Sequence, residues 1–243
     1  MKQVILKITK NVRVNSDTFM MRLEGDVADI KNPGEFINIQ LPGYYLRRPI
    51  SVCDFTDSYV DILYKVLGKG TLDMSTFEVG MQLDCLIGLG NGFDISKAKK
   101  PVLIAGGIGI APLIGLAKKF NSLGIRPTLI YGARSKNDLV LIDRLKEISD
   151  VYLCTDDGSL GLKGNVIDLI EGLGLDMEYY YACGPQIMLK FLSQKYKNGC
   201  VSLEARMGCG FGACMGCSIN TKHGPKRVCK EGPVFEACEV ELW

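Results

Sequence analysis

Near its carboxyl end the chain reads Met207-Gly208-Cys209-Gly210-Phe211-Gly212-Ala213-Cys214-Met215-Gly216-Cys217, and a fourth cysteine, Cys229, follows after eleven further residues. No helix or strand of ordinary length brings thiols at such positions to one place, so this stretch has to be a loop. Its four glycines let the backbone curl and keep side chains away from the centre. The spacing C-x4-C-x2-C with a distant fourth cysteine is the plant-type arrangement for a [2Fe–2S] cluster. Structural zinc is the competing reading, but zinc sites usually pair their ligands as two C-x2-C knuckles, and only Cys214 and Cys217 have that spacing. Disulfides are disfavoured, because the start Met1-Lys2-Gln3-Val4-Ile5-Leu6-Lys7 shows no long apolar core and no small-residue cleavage site. The expected compartment is therefore the cytoplasm. The other cysteines, Cys53, Cys85, Cys154, Cys183, Cys200 and Cys238, read by default as small buried hydrophobes.

At 243 residues the chain is long enough for about two domains. A formal net charge of +2 gives no global field to attract nucleic acid. One apolar run, Pro101 to Ala117, invites a membrane reading, yet it has seventeen residues with two prolines and four glycines. A bilayer crossing needs roughly 20 apolar residues, so no membrane span is expected.

Up to residue 97 the chain reads as short strands separated by turns: Val4 to Thr9, Thr18 to Leu23, Phe36 to Leu41, Tyr59 to Val66 and Gln82 to Ile87, with a short helical turn near Thr71 to Phe77. That pattern predicts a small antiparallel barrel. From residue 98 strands alternate with helices: Pro101 to Ala105, a helix from Ala111 to Leu123, a strand from Pro127 to Gly132, a helix around Asp138 to Ile148, then Val151 to Thr155, Asn165 to Glu171, Tyr179 to Ala182 and Pro185 to Lys197. Alternation of this kind predicts a doubly wound parallel sheet. The expected fold is thus multidomain α+β: a barrel at 1–97, an α/β nucleotide domain at 98–200 and a small cysteine domain at 201–243.

Within the second domain, Gly106, Gly107 and Gly109 lie between the first strand and its helix, where bare backbone can approach a pyrophosphate at the helix amino end. The run departs from G-x-G-x-x-G because Pro112 takes the place of the third glycine, so a plain tight turn stays open as a reading. Later strands also end in glycine-bearing turns, at Gly132-Ala133-Arg134, Asp156-Asp157-Gly158 and Cys183-Gly184-Pro185, and ligands of open α/β sheets bind at such carboxyl ends.

Taken in order, Pro33-Gly34-Glu35-Phe36, Arg48-Pro49-Ile50-Ser51, Gly106-Gly107-Ile108-Gly109-Ile110-Ala111-Pro112, Cys183-Gly184-Pro185 and the terminal cysteines resemble the ferredoxin-NADP reductase superfamily, and within it the electron-transfer subunits of class 1B dihydroorotate dehydrogenase. The resemblance runs over essentially the whole chain. It implies an FAD site made by Arg48 near the diphosphate, by Pro49, Ile50 and Ser51 along the flavin, by Leu63, Tyr64 and Lys65 on a second strand, and by Gly70 and Thr71 receiving phosphate oxygens. It implies NAD at Gly106, Gly107, Gly109, Cys183 and Gly184, with Cys183 near the reactive nicotinamide carbon, and cluster ligation by Cys209, Cys214, Cys217 and Cys229. The sequence departs from the superfamily where Ile50 stands in place of a common Tyr, and where Leu89 stands in place of a Pro in Ile87-Gly88-Leu89-Gly90-Asn91-Gly92-Phe93.

The function implied is transfer of electrons from the FMN of a separate dihydroorotate dehydrogenase catalytic subunit, through [2Fe–2S] and FAD, to NAD in pyrimidine biosynthesis, in a heterotetramer of two of each chain. Cofactors carry that chemistry, and no catalytic side chain is required. A related NAD(P)H-ferredoxin-type reductase subunit of another complex, such as a sulfide dehydrogenase-like assembly, is the alternative. NAD against NADP stays open, since Arg134 and Ser135 suit a 2′-phosphate while Asp156 and Asp157 suit ribose hydroxyls or a turn cap. His223, the single histidine, falls in a polar loop, and Arg206, Lys222, Lys226, Arg227 and Lys230 make a local basic excess around the cluster ligands.

Overall fold

A computed structural model describes residues 1–242, so the last residue of the expected cysteine domain lies outside the described residues. The first six strands are β1 (Lys2–Arg13), β2 (Thr18–Glu24), β3 (Phe36–Ile39), β4 (Arg48–Phe55), β5 (Tyr59–Lys65) and β6 (Gln82–Leu89), with one short helix, α1 (Lys69–Ser75), between the last two. They close into a barrel in the order β1-β2-β5-β4-β3-β6. Alternation aims Leu6, Ile8, Met21, Leu23, Ile37, Ile39, Val60 and Ile62 into its interior, where they are fully buried. Strand β4 is the element that sequence pattern does not announce. It opens with Arg48-Pro49, and proline inside a strand leaves one ladder donor missing. Here Pro49 faces Asn38 of β3, and the Arg47 guanidinium reaches the Asn38 carbonyl at 3.4 Å.

The second part alternates β7 (Pro101–Gly106), α2 (Ile110–Ser122), β8 (Thr128–Ala133), α3 (Ile142–Ile148), β9 (Asp150–Thr155), β10 (Leu162–Lys163), α4 (Val166–Gly172), β11 (Tyr179–Cys183), α5 (Gln186–Lys195) and β12 (Gly199–Ser202). Strands β7 and β11 are buried along their whole length, as strands covered on both faces must be. The helix expected from Asp138 starts later, at Ile142, because Leu141 sits at φ 58° and interrupts the helical path. The cysteine tail adds the hairpin β13 (Ser218–Ile219) and β14 (Lys226–Arg227), then β15 (Val234–Glu236). The latter pairs antiparallel with β12, Val201 facing Phe235, so the sheet order is β10-β9-β8-β7-β11-β12-β15 and the tail is stitched to its edge.

Barrel and sheet meet through α2, which lies on β4. A Cβ at Gly115 would stand 3.0 Å from the Cys53 carbonyl, so only glycine allows the helix this close without displacement. Buried Asp54 is gripped there by Lys118 of α2 and by Arg144 of α3 at 3.1 Å. Among the described residues no helix is long and apolar enough to cross a membrane.

Candidate functional site

Two adjoining cavities occupy the junction of the three parts. The larger, about 880 Å³, opens over the carboxyl ends of β7, β8, β9 and β11 and is floored by Gly106, Gly107, Gly109, Gly132 and Gly184. Gly107 has φ +54° and open space where a Cβ would stand. The first turn of α2 carries no acidic residue, and its N-cap Gly109 has no side chain to satisfy the free N–H groups, which leaves them for an anion. Pro112 causes no defect, because it falls in that first turn, where no intrahelical partner exists for an N–H. Gly109 is also fixed by packing, since a Cβ would lie 2.3 Å from the Cys183 carbonyl oxygen.

The smaller cavity, about 230 Å³, has apolar walls from Pro49, Ile50 and Leu63 on the barrel and from Ala111 and Pro112 on α2. Ser51, Lys65 and Thr71 supply polar points, and Cys183 closes one side. A slot that is apolar across its faces and polar at few points suits a fused ring with a polar edge. Lys65, Ile108, Gly109, Leu203 and Glu204 line both cavities, so the two share a boundary. The segment Leu203-Glu204-Ala205 and Met207 walls the smaller cavity and runs directly into Cys209.

The expected residues are held as follows. Tyr64 contributes to the wall of the smaller cavity, while its ring stacks on Phe19 inside the barrel, 5.8 Å between centroids, and its hydroxyl donates to Asn11 at 3.0 Å. Arg48 does not line the smaller cavity; it lies over the Tyr44 ring at 4.6 Å and against Gly70, whose absent side chain makes room for the guanidinium. The Thr71 hydroxyl accepts from the backbone N–H groups of Leu67 at 2.9 Å and Gly68 at 3.2 Å. Lys65 bridges Asp17 at 2.9 Å and Asp138 at 3.2 Å. Cys183 is buried, and burial pushes its thiol up to about 12, so it stays protonated.

In the larger cleft the Ser135 hydroxyl donates to Asp138 at 3.2 Å, while Arg134 is 77% exposed and touches Asp138 through one nitrogen at 3.4 Å. Asp157 caps its own turn through Ser159, while Asp156 lines the cleft. Glu204 was not foreseen from sequence, since a lone Glu before a cysteine motif carries no local signal. It is exposed on the rim shared by both cavities, and partial desolvation by the surrounding walls raises its carboxyl above the ordinary range. Cys238, expected to be buried, is exposed; Cys53, Cys85, Cys154, Cys183 and Cys200 are buried. His223 is exposed in its loop.

The four motif cysteines come together as two pairs. Cys209 and Cys214 face each other across backbone bonds: the Cys209 Sγ accepts from Ala213 N at 3.3 Å and Cys214 N at 3.4 Å, and the Cys214 Sγ accepts from Cys209 N at 3.4 Å. The Cys217 Sγ accepts from Cys229 N at 3.4 Å. Burial pushes the Cys209 thiol up, but the N–H groups of Phe211 and Cys214 outweigh it and hold the group at about 6. Among the described residues no three Cys, His, Asp or Glu side chains converge on one point. A [2Fe–2S] cluster takes two thiolates on each of two irons, and a donor set of four cysteines in two pairs fits it. The loop is tied to its distal ligand by Arg227, which donates to the Gly212 carbonyl and is itself gripped by Glu231. Arg227 and Lys226 are thus paired, the latter with Glu239 at 2.7 Å, which reduces the basic excess to Arg206, Lys222 and Lys230.

Known proteins resemble this chain over most of its length. A family model described as the iron-sulfur cluster binding domain of dihydroorotate dehydrogenase B matches residues 204–241, and an oxidoreductase NAD-binding domain model matches residues 103–194. A protein of Fusobacterium nucleatum named dihydroorotate dehydrogenase B (NAD(+)), electron transfer subunit, is 38% identical over 97% of both chains. A namesake from Shouchella clausii is 36% identical over 99% of both. Among solved structures, an NADH-dependent reduced ferredoxin-NADP oxidoreductase superposes with a TM-score of 0.89 at 32% identity, covering 98% of this chain and 90% of its own. Phthalate dioxygenase reductase, with a TM-score of 0.70 at 18% identity over 98% of this chain and 95% of its own, shares the fold.

Proposed function

The chain belongs to the family of dihydroorotate dehydrogenase B electron transfer subunits, and on that premise we propose that it passes electrons from the FMN of a catalytic partner through [2Fe–2S] and FAD to NAD. The observation that carries this reading is the smaller cavity, whose walls come from the barrel, from the start of α2 and from the segment entering the cysteine loop. One slot therefore borders both the nucleotide cleft and the cluster loop, as a relay between them requires.

When bound, the cofactors supply hydride exchange at the nicotinamide and flavin and single-electron exchange at the cluster. The chain's residues do the holding. Pro49, Ile50, Ser51, Leu63 and Lys65 would seat the flavin ring, with Tyr64 bracing their strand from inside the barrel; Arg48, Gly70 and Thr71 would form its outer rim. Gly106, Gly107, Gly109 and Gly184 would admit the dinucleotide phosphates, and Cys183, kept protonated, would pack beside the nicotinamide. The names of the relatives support NAD. Cys209 with Cys214, and Cys217 with Cys229, would each hold one iron.

The division into 1–97, 98–200 and 201–243 is part of this proposal, as are a heterotetramer of two of each chain and a cytoplasmic site, where the cysteines that do not hold iron would stay reduced. Exposed Phe211 and Met215 beside Cys214 would face the partner subunit. Co-purification with the catalytic subunit and assay of dihydroorotate-dependent NAD reduction tests the reading. Cys214→Ser is expected to abolish NAD reduction while leaving reduction of the partner's FMN by dihydroorotate intact. A second reading, a subunit of an NADH–ferredoxin-type reductase, draws on the likeness to the NADH-dependent reduced ferredoxin-NADP oxidoreductase. NAD reduction with a ferredoxin and none with dihydroorotate would favour it.

A further inference from the structure

Asn38 is 1% exposed, in the middle of β3, with its side chain outside the barrel interior and against the cysteine loop. Its Nδ2 donates to the Cys209 carbonyl at 3.1 Å, which makes it a direct side-chain link from the flavin barrel to a cluster-ligand residue. Its Oδ1 is buried and has no hydrogen-bond partner among the described residues. A buried amide with one half unsatisfied costs stability, commonly on the order of 1–3 kcal/mol, and an apolar residue of the same size would avoid that cost. The loop is shaped to the amide. Gly210 has φ +77°, and a Cβ there would stand 2.3 Å from the Asn38 Nδ2. From the other side, Asn38 is fixed by its register: it faces Pro49, one of the residues lining the smaller cavity, and its carbonyl receives Arg47, which is anchored to Asp84 at 3.0 Å.

We propose that Asn38 is a positioning residue that seats the Cys209 end of the cluster loop on the strand next to the flavin wall, and so sets the separation and relative orientation of the two redox centres. The proposal rests on the reading of the slot and the cysteine loop given above. One strand, β3, then carries both references: its ladder to β4 fixes the slot, and its amide fixes the loop. Residues of this kind around a metal centre typically change affinity or activity by roughly 10–100-fold when replaced.

The test uses the full chain isolated without oxygen with flavin and cluster bound. Asn38→Leu keeps the volume and removes both polar atoms, and Gly210→Ala disturbs the same contact from the loop side. Both are expected to retain FAD and its rapid bleaching by NADH, to shift the electron paramagnetic resonance of the reduced cluster, and to slow cluster bleaching after flavin by roughly 10–100-fold. In Asn38→Ala the loop gains room, so adding Gly210→Ala there is expected to cost less than it does in the wild type. Unchanged resonance and bleaching in Asn38→Leu, or strictly additive effects in the double variant, overturns the assignment. If Asn38→Leu also loses its flavin, Gly210→Ala decides, and wild-type behaviour there overturns it. Wild-type protein lacking iron would instead strike the proposed function itself.

Discussion

Glu35 shows how a single buried carboxyl is set by its surroundings. One oxygen accepts from the backbone of Lys31 at 3.2 Å and of Asn32 at 2.9 Å, while Oε2 is buried with no partner among the described residues. Burial dominates and raises its pKa. A carboxyl whose folded pKa exceeds its unfolded value takes up a proton on folding, so its penalty is fully present above the folded value and is relieved as pH falls through it. As pH falls from neutrality towards the ordinary carboxyl value of 4.5, the urea-unfolding free energy of the wild type is therefore expected to rise relative to that of Glu35→Gln. A difference between the two that stays flat with pH would show that Glu35 ionises normally. The Cys209 thiol moves the other way, to about 6, because loop N–H groups favour its ionised form. A backbone that already favours thiolate is prepared to bind iron.

At the scale of elements, the turn from β7 into α2 is the part most sensitive to added volume. Gly109→Ala would press a Cβ to within 2.3 Å of the Cys183 carbonyl. Overpacking of this kind costs typically 1–3 kcal/mol and would push the β11 end away from α2. Purified Gly109→Ala is expected to bind NADH at least tenfold more weakly by fluorescence titration, an effect of about 1.4 kcal/mol or more, while keeping its cluster. Wild-type affinity would mean the turn is not the phosphate site. Much of this element structure is legible in the sequence. Strongly apolar strands such as β7 and β11 and the glycines after them stand out because burial on both faces leaves no room for polar residues. Strand β4 escapes notice because Arg48 and Pro49 open it, and its pairing depends on β3 and β5 rather than on its own pattern. The late start of α3 depends on one backbone angle at Leu141, which composition does not reveal. At the site, the cysteine spacing is explicit, whereas Glu204 and Asn38 acquire their positions only from tertiary contact. Tyr64 illustrates the converse: its place in the motif is legible, but its inward direction follows from strand alternation between Leu63 and Lys65.

Over the whole molecule, the three parts act together only if the barrel and sheet keep their mutual placement. Asp54 is the polar centre of that contact, nearly buried and shared by Lys118 and Arg144. Asp54→Ala is expected to lower unfolding free energy by about 2 kcal/mol, in the range of charge-assisted hydrogen bonds, and to slow flavin reduction by NADH before any loss of cofactor. Unaltered stability together with unaltered reduction would mean that α2 packing alone holds the parts. The relay itself depends on the cysteine tail being joined to the sheet through β15 and to the slot through Leu203 to Met207. Its most direct test is the iron, acid-labile sulfide and flavin content of the chain purified without oxygen. Two irons, two sulfides and one FAD per chain are expected, the composition of a [2Fe–2S] flavoprotein. Protein holding zinc, or holding neither iron nor sulfide after anaerobic handling, would contradict the account.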